Sequence, residues 1–144
     1  MALSLTFQTD LEISLDKVRN FLVKLILIGL FGLLGVFARY YSGILASRYL
    51  PIVFPFGTLF INLLGAFLIG IVWVLGMEKE MISHNTLAGI IVGFLGGFTT
   101  FSSYCLEFVR LIEESKYLYG ILYVSLSPAL GCFAAYFGMY LARL

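Results

Sequence analysis

The sequence predicts an all-α membrane protein with four transmembrane helices, the third of which is broken near its middle. Of its 144 residues, 61% are hydrophobic and only 12% are charged, and the mean hydropathy is +1.03. A soluble domain of this length cannot bury so much apolar surface, because small domains have a high ratio of surface to volume. The apolar side chains must therefore face lipid, or one another inside lipid.

Charged residues divide the chain into four long apolar stretches. Each stretch exceeds the roughly 20 residues that a helix needs to cross the hydrocarbon core of a bilayer. Pro51 and Pro55 favour a loop or helix start ahead of the second span. The predicted spans are Leu22 to Leu45, Phe56 to Met77, Met81 to Leu106 and Tyr117 to Ala142.

The residues before the first span are of mixed polarity. Leu11, Leu15 and Val18 recur at helical spacing between charged residues. This pattern predicts an amphipathic helix that lies on the membrane surface. We therefore divide the chain into an amphipathic amino-terminal lead-in, residues 1–21, and a four-helix transmembrane channel domain, residues 22–144.

Positive residues are almost evenly distributed between the two sides of the membrane. With four spans, one side carries both termini and five positive residues: Lys17, Arg19, Lys24, Lys79 and Arg143. The other side carries four: Arg39, Arg48, Arg110 and Lys116. Positive loops favour the cytoplasm, and this chain has almost no such bias. Either the balance is accidental, or the chain inserts in both orientations and two copies can pair antiparallel.

The third span contains a segment that is poorly suited to a continuous helix. Gly96 and Gly97 are adjacent, and the β-branched Thr99 and Thr100 follow before Ser102. If the helix breaks, several backbone carbonyl groups lose the N–H groups that would donate to them within the helix. In a membrane, a bound cation is an obvious substitute for these donors. The alternative is a packed, unbroken helix whose polar side chains bond their own backbone.

Other polar groups occur within the spans. Asn62 lies deep in the second span, where an unpaired amide is costly in lipid. Its side chain is therefore expected to face a neighbouring helix or a water-filled pathway. Tyr123 and Ser127 offer hydroxyl groups along the fourth span, where Pro128 frees a carbonyl near Val124. No acidic residue lies in the middle of a span. Hydroxyls, an amide and aromatic rings suit an anion better than a cation.

Several function classes are disfavoured by composition. The formal net charge is +1 without a basic run, so nucleic acid is not an expected partner. Cys105 and Cys132 lie in apolar stretches without metal-ligand spacing, and His84 is the single histidine. No combination of nucleophile and base, or cluster of metal ligands, indicates an enzyme.

Three segments, in their order and spacing, resemble the Fluc (CrcB) family of fluoride channels. They are GVFARY at 35–40, PFGTLFINLLG at 55–65 and GGFTTFSS at 96–103, and the resemblance covers about residues 22–143. It implies a multi-pass protein of a prokaryotic cell membrane that forms an antiparallel, dual-topology dimer with two narrow pathways. The implied function is passive export of fluoride from the cytoplasm, which protects the cell against fluoride toxicity.

The resemblance also implies roles for particular residues. Backbone carbonyls of Gly96 and Thr99 would bind a structural sodium ion at the dimer interface. Arg39 and Glu107 would serve a vestibule or structural role. The implied fluoride pathway comprises Asn62, Phe101, Ser102, Ser103, Tyr104, Tyr123 and Ser127.

Two positions depart from the family pattern. Tyr104 stands where a second pathway phenylalanine is usual, and its hydroxyl would either bond fluoride or narrow the path. Gly131 stands where a further hydroxyl is common. These departures leave open a homodimer or a heterodimer with a paralogous subunit, and one or two conducting pathways.

Two other function classes are compatible with four spans. A small multidrug-type exporter would also be antiparallel, but it should carry a glutamate within the first span, and this chain has none there. A non-transporting membrane partner would use faces of small residues for assembly, such as Gly89, Gly93 and Gly97. Such a partner would conduct no ion.

Overall fold

The computed structural model describes the backbone of residues 2–51 and 53–144, and the side chains of residues 12–51 and 53–144. Four helices in it are long and apolar enough to cross a membrane. Within these residues no strand occurs. The prediction of an all-helical protein with four spans is confirmed. The spans are Glu12–Tyr49, Phe56–Glu78, His84–Glu113 and Tyr117–Arg143.

The first span belongs to one long helix, α1 (Ala2–Tyr49), of 48 residues. At 1.5 Å per residue this helix is about 72 Å long, more than twice the roughly 30 Å of a hydrocarbon core. The predicted lead-in and the first span are therefore continuous in the backbone, without a turn at residues 21 and 22. The surface location of the lead-in stays a prediction, and several of its side chains lie outside the described residues.

The remaining helices follow in chain order. Helix α2 (Phe56–Trp73) continues into a π-helical turn, Val74–Glu78. Helix α3 consists of an α-helical turn, a π-helical segment and a last short turn: His84–Ala88, Gly89–Leu95 and Gly96–Phe98. Helices α4 (Phe101–Glu113) and α5 (Tyr117–Arg143) complete the chain. Ser83 caps α3, because its hydroxyl accepts a hydrogen bond from the Thr86 backbone amide at 3.3 Å.

The helices pack mainly as two pairs, α1 with α3 and α2 with α5, and α4 also packs on α5. Both pairs meet through glycine. A Cβ atom on Gly70 would overlap the backbone carbonyl oxygen of Ala135, and one on Gly97 would lie 2.7 Å from the carbonyl oxygen of Gly32. Small residues at such contacts let helix backbones approach closely in lipid. The glycine faces therefore act within the chain, at least at these two contacts.

Large parts of the helix surfaces remain uncovered by the rest of the chain. In the most apolar 18-residue stretch of the first span, only 6% of the residues are buried inside the chain. In the corresponding stretches of the second and third spans, the buried share is 28%. The fully or nearly fully buried side chains are few, and Tyr123 and Val74 are the largest of them. Such a distribution is typical of a membrane protein whose apolar side chains face lipid or another subunit.

We expect Gly70→Ala to destabilise the fold by about 1–3 kcal/mol, because the added methyl group meets backbone that cannot move aside. The measurement is the thermal unfolding midpoint of purified protein in detergent. Gly43→Ala is the matched control, since a Cβ there meets nothing within 4 Å. Equal midpoints for the two variants would contradict this account of the contact between α2 and α5.

Candidate ion pathway

The backbone leaves the helical conformation in the third span at two residues. Helix α3 ends at Phe98, and Thr99 (φ −84°, ψ 160°) and Thr100 (φ −148°, ψ 120°) are extended before α4 begins at Phe101. Thr100 also caps α4, because its hydroxyl accepts a hydrogen bond from the Ser103 amide at 3.2 Å. The two β-branched residues adopt angles that they favour intrinsically.

Asn62 of α2 holds the extended Thr100 with both ends of its amide. The Thr100 N–H donates to Asn62 Oδ1 at 2.9 Å, and Asn62 Nδ2 donates to the Thr100 carbonyl at 3.0 Å. Thr100 is 8% exposed, so without these bonds two backbone groups would be buried unpaired. The amide of Asn62 retains a second N–H that Thr100 does not use.

The extended segment changes the bonding of nearby carbonyl groups. In an unbroken helix the Thr100 N–H would donate to the Gly96 carbonyl, but here it donates to Asn62. The Thr99 carbonyl accepts a hydrogen bond from Arg39 Nη1 at 3.3 Å. Gly96, Thr99 and Asn62 line a cavity of about 360 Å³ together with Phe101.

The cavity beside Gly96 is lined by uncharged residues only. Gly96 and Thr99, at the negative end of α3, are among these residues, and the Gly96 carbonyl has lost its helical donor. No cluster of three His, Cys, Asp or Glu residues exists within the residues described. Neutral carbonyl oxygens without carboxylates suit a hard cation of low charge. A carbonyl oxygen has two lone pairs, and the hydrogen bond from Arg39 uses one of those on Thr99. The other lone pair can accept a second partner.

Three aromatic rings form a row that leads from this cavity toward α5. The ring centroids of Phe101 and Tyr104 are 5.7 Å apart, and those of Tyr104 and Tyr123 are 5.0 Å apart. Phe101 is 77% exposed, whereas Tyr104 is 8% and Tyr123 0% exposed. The predicted pathway rings are therefore neighbours, and the exposed end of the row belongs to Phe101.

The carboxylate of Glu107 is bonded by hydroxyl groups from two other helices. Thr58 Oγ1 donates to Glu107 Oε1 at 2.6 Å, and the Tyr123 hydroxyl donates to Oε2 at 2.7 Å. This arrangement joins α2, α4 and α5. Sequence reasoning assigned no role to Thr58. The position of Thr58 within the segment PFGTLFINLLG is the one signal that pointed to it.

Two arginines and Glu107 line a second cavity, of about 660 Å³, on the side of the loop between α1 and α2. The arginines are Arg39 and Arg110, and Ser103 lines the same cavity. Two guanidinium groups outweigh one carboxylate, so the net charge of these three groups favours an anion. At the nearby turn after α4, a hydrogen bond from Lys116 at 2.6 Å lowers the pKa of Glu114 below its ordinary value.

The predicted serines differ in their surroundings. Ser127 Oγ is buried without a hydrogen-bond partner in the protein, one helical turn after Tyr123. Ser103 Oγ accepts a hydrogen bond from the Thr100 hydroxyl at 3.1 Å, and Ser102 Oγ lies 3.4 Å from that hydroxyl. A Cβ atom on Gly131 would meet nothing within 4 Å, so this departure leaves open space on α5.

Comparison with known proteins decides the family. The sequence model of the protein family described as "CrcB-like protein, Camphor Resistance (CrcB)" matches residues 26–139. The chain belongs to the CrcB family. Residues 1–25, which include the predicted lead-in, lie outside the part of the chain that matches the CrcB model. The resemblance found in the sequence is confirmed, and the four spans make this CrcB protein a multi-pass membrane protein.

Relatives within the family cover most of the chain. The fluoride-specific ion channel FluC of Chlorobium chlorochromatii is 44% identical over 121 residues, which are 83% of this chain and 92% of that protein. FluC of Chlorobium phaeobacteroides is 41% identical over 83% of this chain and 93% of its own. FluC of Desulforapulum autotrophicum is 37% identical over 84% and 97%, respectively. The similarity therefore extends over nearly the whole length of each relative.

We expect Asn62→Ala to lower the free energy of unfolding by about 1–3 kcal/mol, because it leaves the Thr100 N–H and carbonyl unpaired. The unfolding midpoint in detergent measures this effect. Asn20→Ala removes an exposed amide from α1 and serves as the control. A loss no greater than that of the control would show that Asn62 does not hold the segment.

Proposed function

We propose that this protein is a passive, fluoride-selective ion channel that exports fluoride from the cytoplasm. The observation that carries the proposal is its 37–44% identity to three proteins named fluoride-specific ion channel, over more than four fifths of the chain. The geometry supports the same function. The row of Phe101, Tyr104 and Tyr123 offers ring edges, which carry partial positive charge, to a small anion.

A dehydrated fluoride ion needs hydrogen-bond donors along its path, since burying an unpaired charge is very costly. Ser127 supports this role, because its buried hydroxyl has no partner in the protein. The second N–H of Asn62 is a further donor beside the exposed ring of Phe101. Ser102 and Ser103 supply hydroxyls at the start of α4. The Tyr123 hydroxyl already donates to Glu107, and that bond fixes its ring within the path.

The direction of transport follows from the membrane potential. An inside-negative potential drives an anion outward with about 2.3 kcal/mol per charge for each 100 mV. Arg39 and Arg110 at the larger cavity would raise the local concentration of anions at the mouth of the path. No source of chemical energy is then required, and the channel relieves the cell of fluoride passively.

The same proposal includes a structural sodium ion and an antiparallel dimer. The carbonyls of Gly96 and Thr99 would hold the ion, whose charge would compensate carbonyl groups that lack helical donors. Their cavity and the exposed Phe101 lie on a side of the chain that is uncovered, which suits a second subunit. The balance of five and four positive residues supports insertion in both orientations. Both homodimers and heterodimers satisfy these observations.

We expect liposomes that contain the purified protein to release fluoride and to retain chloride, measured with ion-selective electrodes in sodium buffer. Phe101→Ile should slow fluoride release by about tenfold, which corresponds to an increase of about 1.4 kcal/mol in the barrier to transport. This increase is of the same order as the interaction energy of an aromatic ring edge. Asn62→Asp should slow it as well, since the carboxylate repels the anion. Phe21→Ile, outside the matched region, is the control.

Equal release of fluoride and chloride would refute the selectivity, and no release from well-folded protein would refute the channel. Release that Phe101→Ile and Asn62→Asp both leave unchanged would remove these residues from the pathway.

Dual topology predicts that a cysteine at residue 79 is reachable from both sides of the membrane. The design replaces Cys105 and Cys132 with Ala and introduces either Lys79→Cys or Glu113→Cys, two exposed positions at opposite ends of the bundle. A membrane-impermeant maleimide should label about half of each population from outside, because inverted copies are equally frequent. Complete labelling of one position and none of the other would mean a single orientation.

A further inference from the structure

Helix α5 contains a proline that removes one of its own hydrogen bonds. The helix runs without interruption from Tyr117 to Arg143 and passes through Pro128. A proline has no N–H, so the carbonyl four residues earlier, that of Val124, loses its helical donor. In a hydrocarbon environment such a carbonyl must find another donor.

The missing donor is supplied by a different helix. The hydroxyl of Tyr104 on α4 donates to the Val124 carbonyl at 2.9 Å. Tyr104 is 8% exposed and its ring lies between those of Phe101 and Tyr123. The bond therefore ties the start of α4, just after the extended Thr99–Thr100 segment, to the middle of α5.

The bond determines what the Tyr104 hydroxyl can do. A hydroxyl has a single proton to donate, and here that proton is directed to Val124. The oxygen then presents only lone pairs to its surroundings, and lone pairs repel an anion. A phenylalanine at residue 104 would leave the Val124 carbonyl unpaired as long as Pro128 is present. With an ordinary residue at 128, a phenylalanine would leave nothing unpaired.

We propose that Tyr104 and Pro128 form one unit. Pro128 frees the Val124 carbonyl, and the Tyr104 hydroxyl replaces the lost donor, so that no unpaired carbonyl oxygen, with its partial negative charge, lies beside the row of Phe101, Tyr104 and Tyr123. Tyr104 is thus a positioning residue, because its hydroxyl acts on the ion only through the Val124 carbonyl and is withheld from the ion itself. The effect on transport rests on the proposed channel function, whereas the coupling between the two residues does not.

A double-mutant cycle tests the unit with Tyr104→Phe, Pro128→Ala and the double variant in the full-length protein. Two quantities are measured: the unfolding midpoint in detergent and the initial fluoride efflux from liposomes per folded protein. Tyr104→Phe alone should lower the midpoint by roughly 2–10 °C and slow efflux by about tenfold, because the Val124 carbonyl is left unpaired within a membrane span and its partial negative charge repels the anion. Pro128→Ala alone should leave efflux within about twofold of the parent, since Val124 then has two donors.

The double variant is decisive. The N–H of alanine at residue 128 restores the helical bond to Val124, so both the midpoint and the efflux should return close to those of the parent. Tyr140→Phe, on an exposed ring of the same helix, is the control for losing a tyrosine hydroxyl.

Three results would overturn the proposal. The first is a double variant as slow as Tyr104→Phe, which would mean that the hydroxyl acts on the ion directly. The second is Tyr104→Phe with an unchanged midpoint, and the third is a lowered midpoint with unchanged efflux. If the parent protein releases no fluoride, the channel proposal fails, and the midpoints alone still decide whether Tyr104 and Pro128 are coupled.

Discussion

The requirement that every backbone polar group in hydrocarbon be paired governs this structure. Thr99 and Thr100 are extended inside a span, so the Thr99 carbonyl and the Thr100 N–H are left without partners in a helix. Asn62 pairs both groups of Thr100, and Arg39 donates to the Thr99 carbonyl. These two side chains come from different helices, and the extended segment therefore fixes how α1 and α2 are placed around it.

The same requirement recurs at Pro128 and determines which groups are left for an ion. Tyr104 donates to the carbonyl that the proline frees, and Tyr123 donates to Glu107. Both tyrosine hydroxyls are thus engaged with the protein, and their rings are held in fixed positions. The groups that remain include the unpartnered hydroxyl of Ser127, the hydroxyls of Ser102 and Ser103, a spare N–H of Asn62 and the edges of the rings. The proposed pathway, built from such weak, neutral groups, would bind a small anion without trapping it.

Helix packing explains how a chain of this size brings these groups together. Glycines remove the Cβ atoms where α1 meets α3 and where α2 meets α5, so the backbones approach closely. Close approach puts the hydroxyls of Thr58 and Tyr123 within reach of one carboxylate from a third helix. The opposite faces of the helices remain apolar and uncovered, including Phe101 and the cavity beside Gly96. The candidate ion pathway is therefore open on the side where the proposed second subunit would sit.

The sequence by itself determined the number of spans, the helical class and the family, because hydropathy and short motifs are properties of local stretches. It also marked the segment that contains the two extended residues, since paired glycines and β-branched threonines disfavour a helix locally. It could not predict that α1 is continuous through residues 21 and 22. Only the tertiary structure decided the pairs Thr58–Glu107, Arg39–Thr99 and Tyr104–Val124, which lie 49, 60 and 20 residues apart. Such pairs depend on how each helix is rotated and how closely it packs, and no local pattern encodes either.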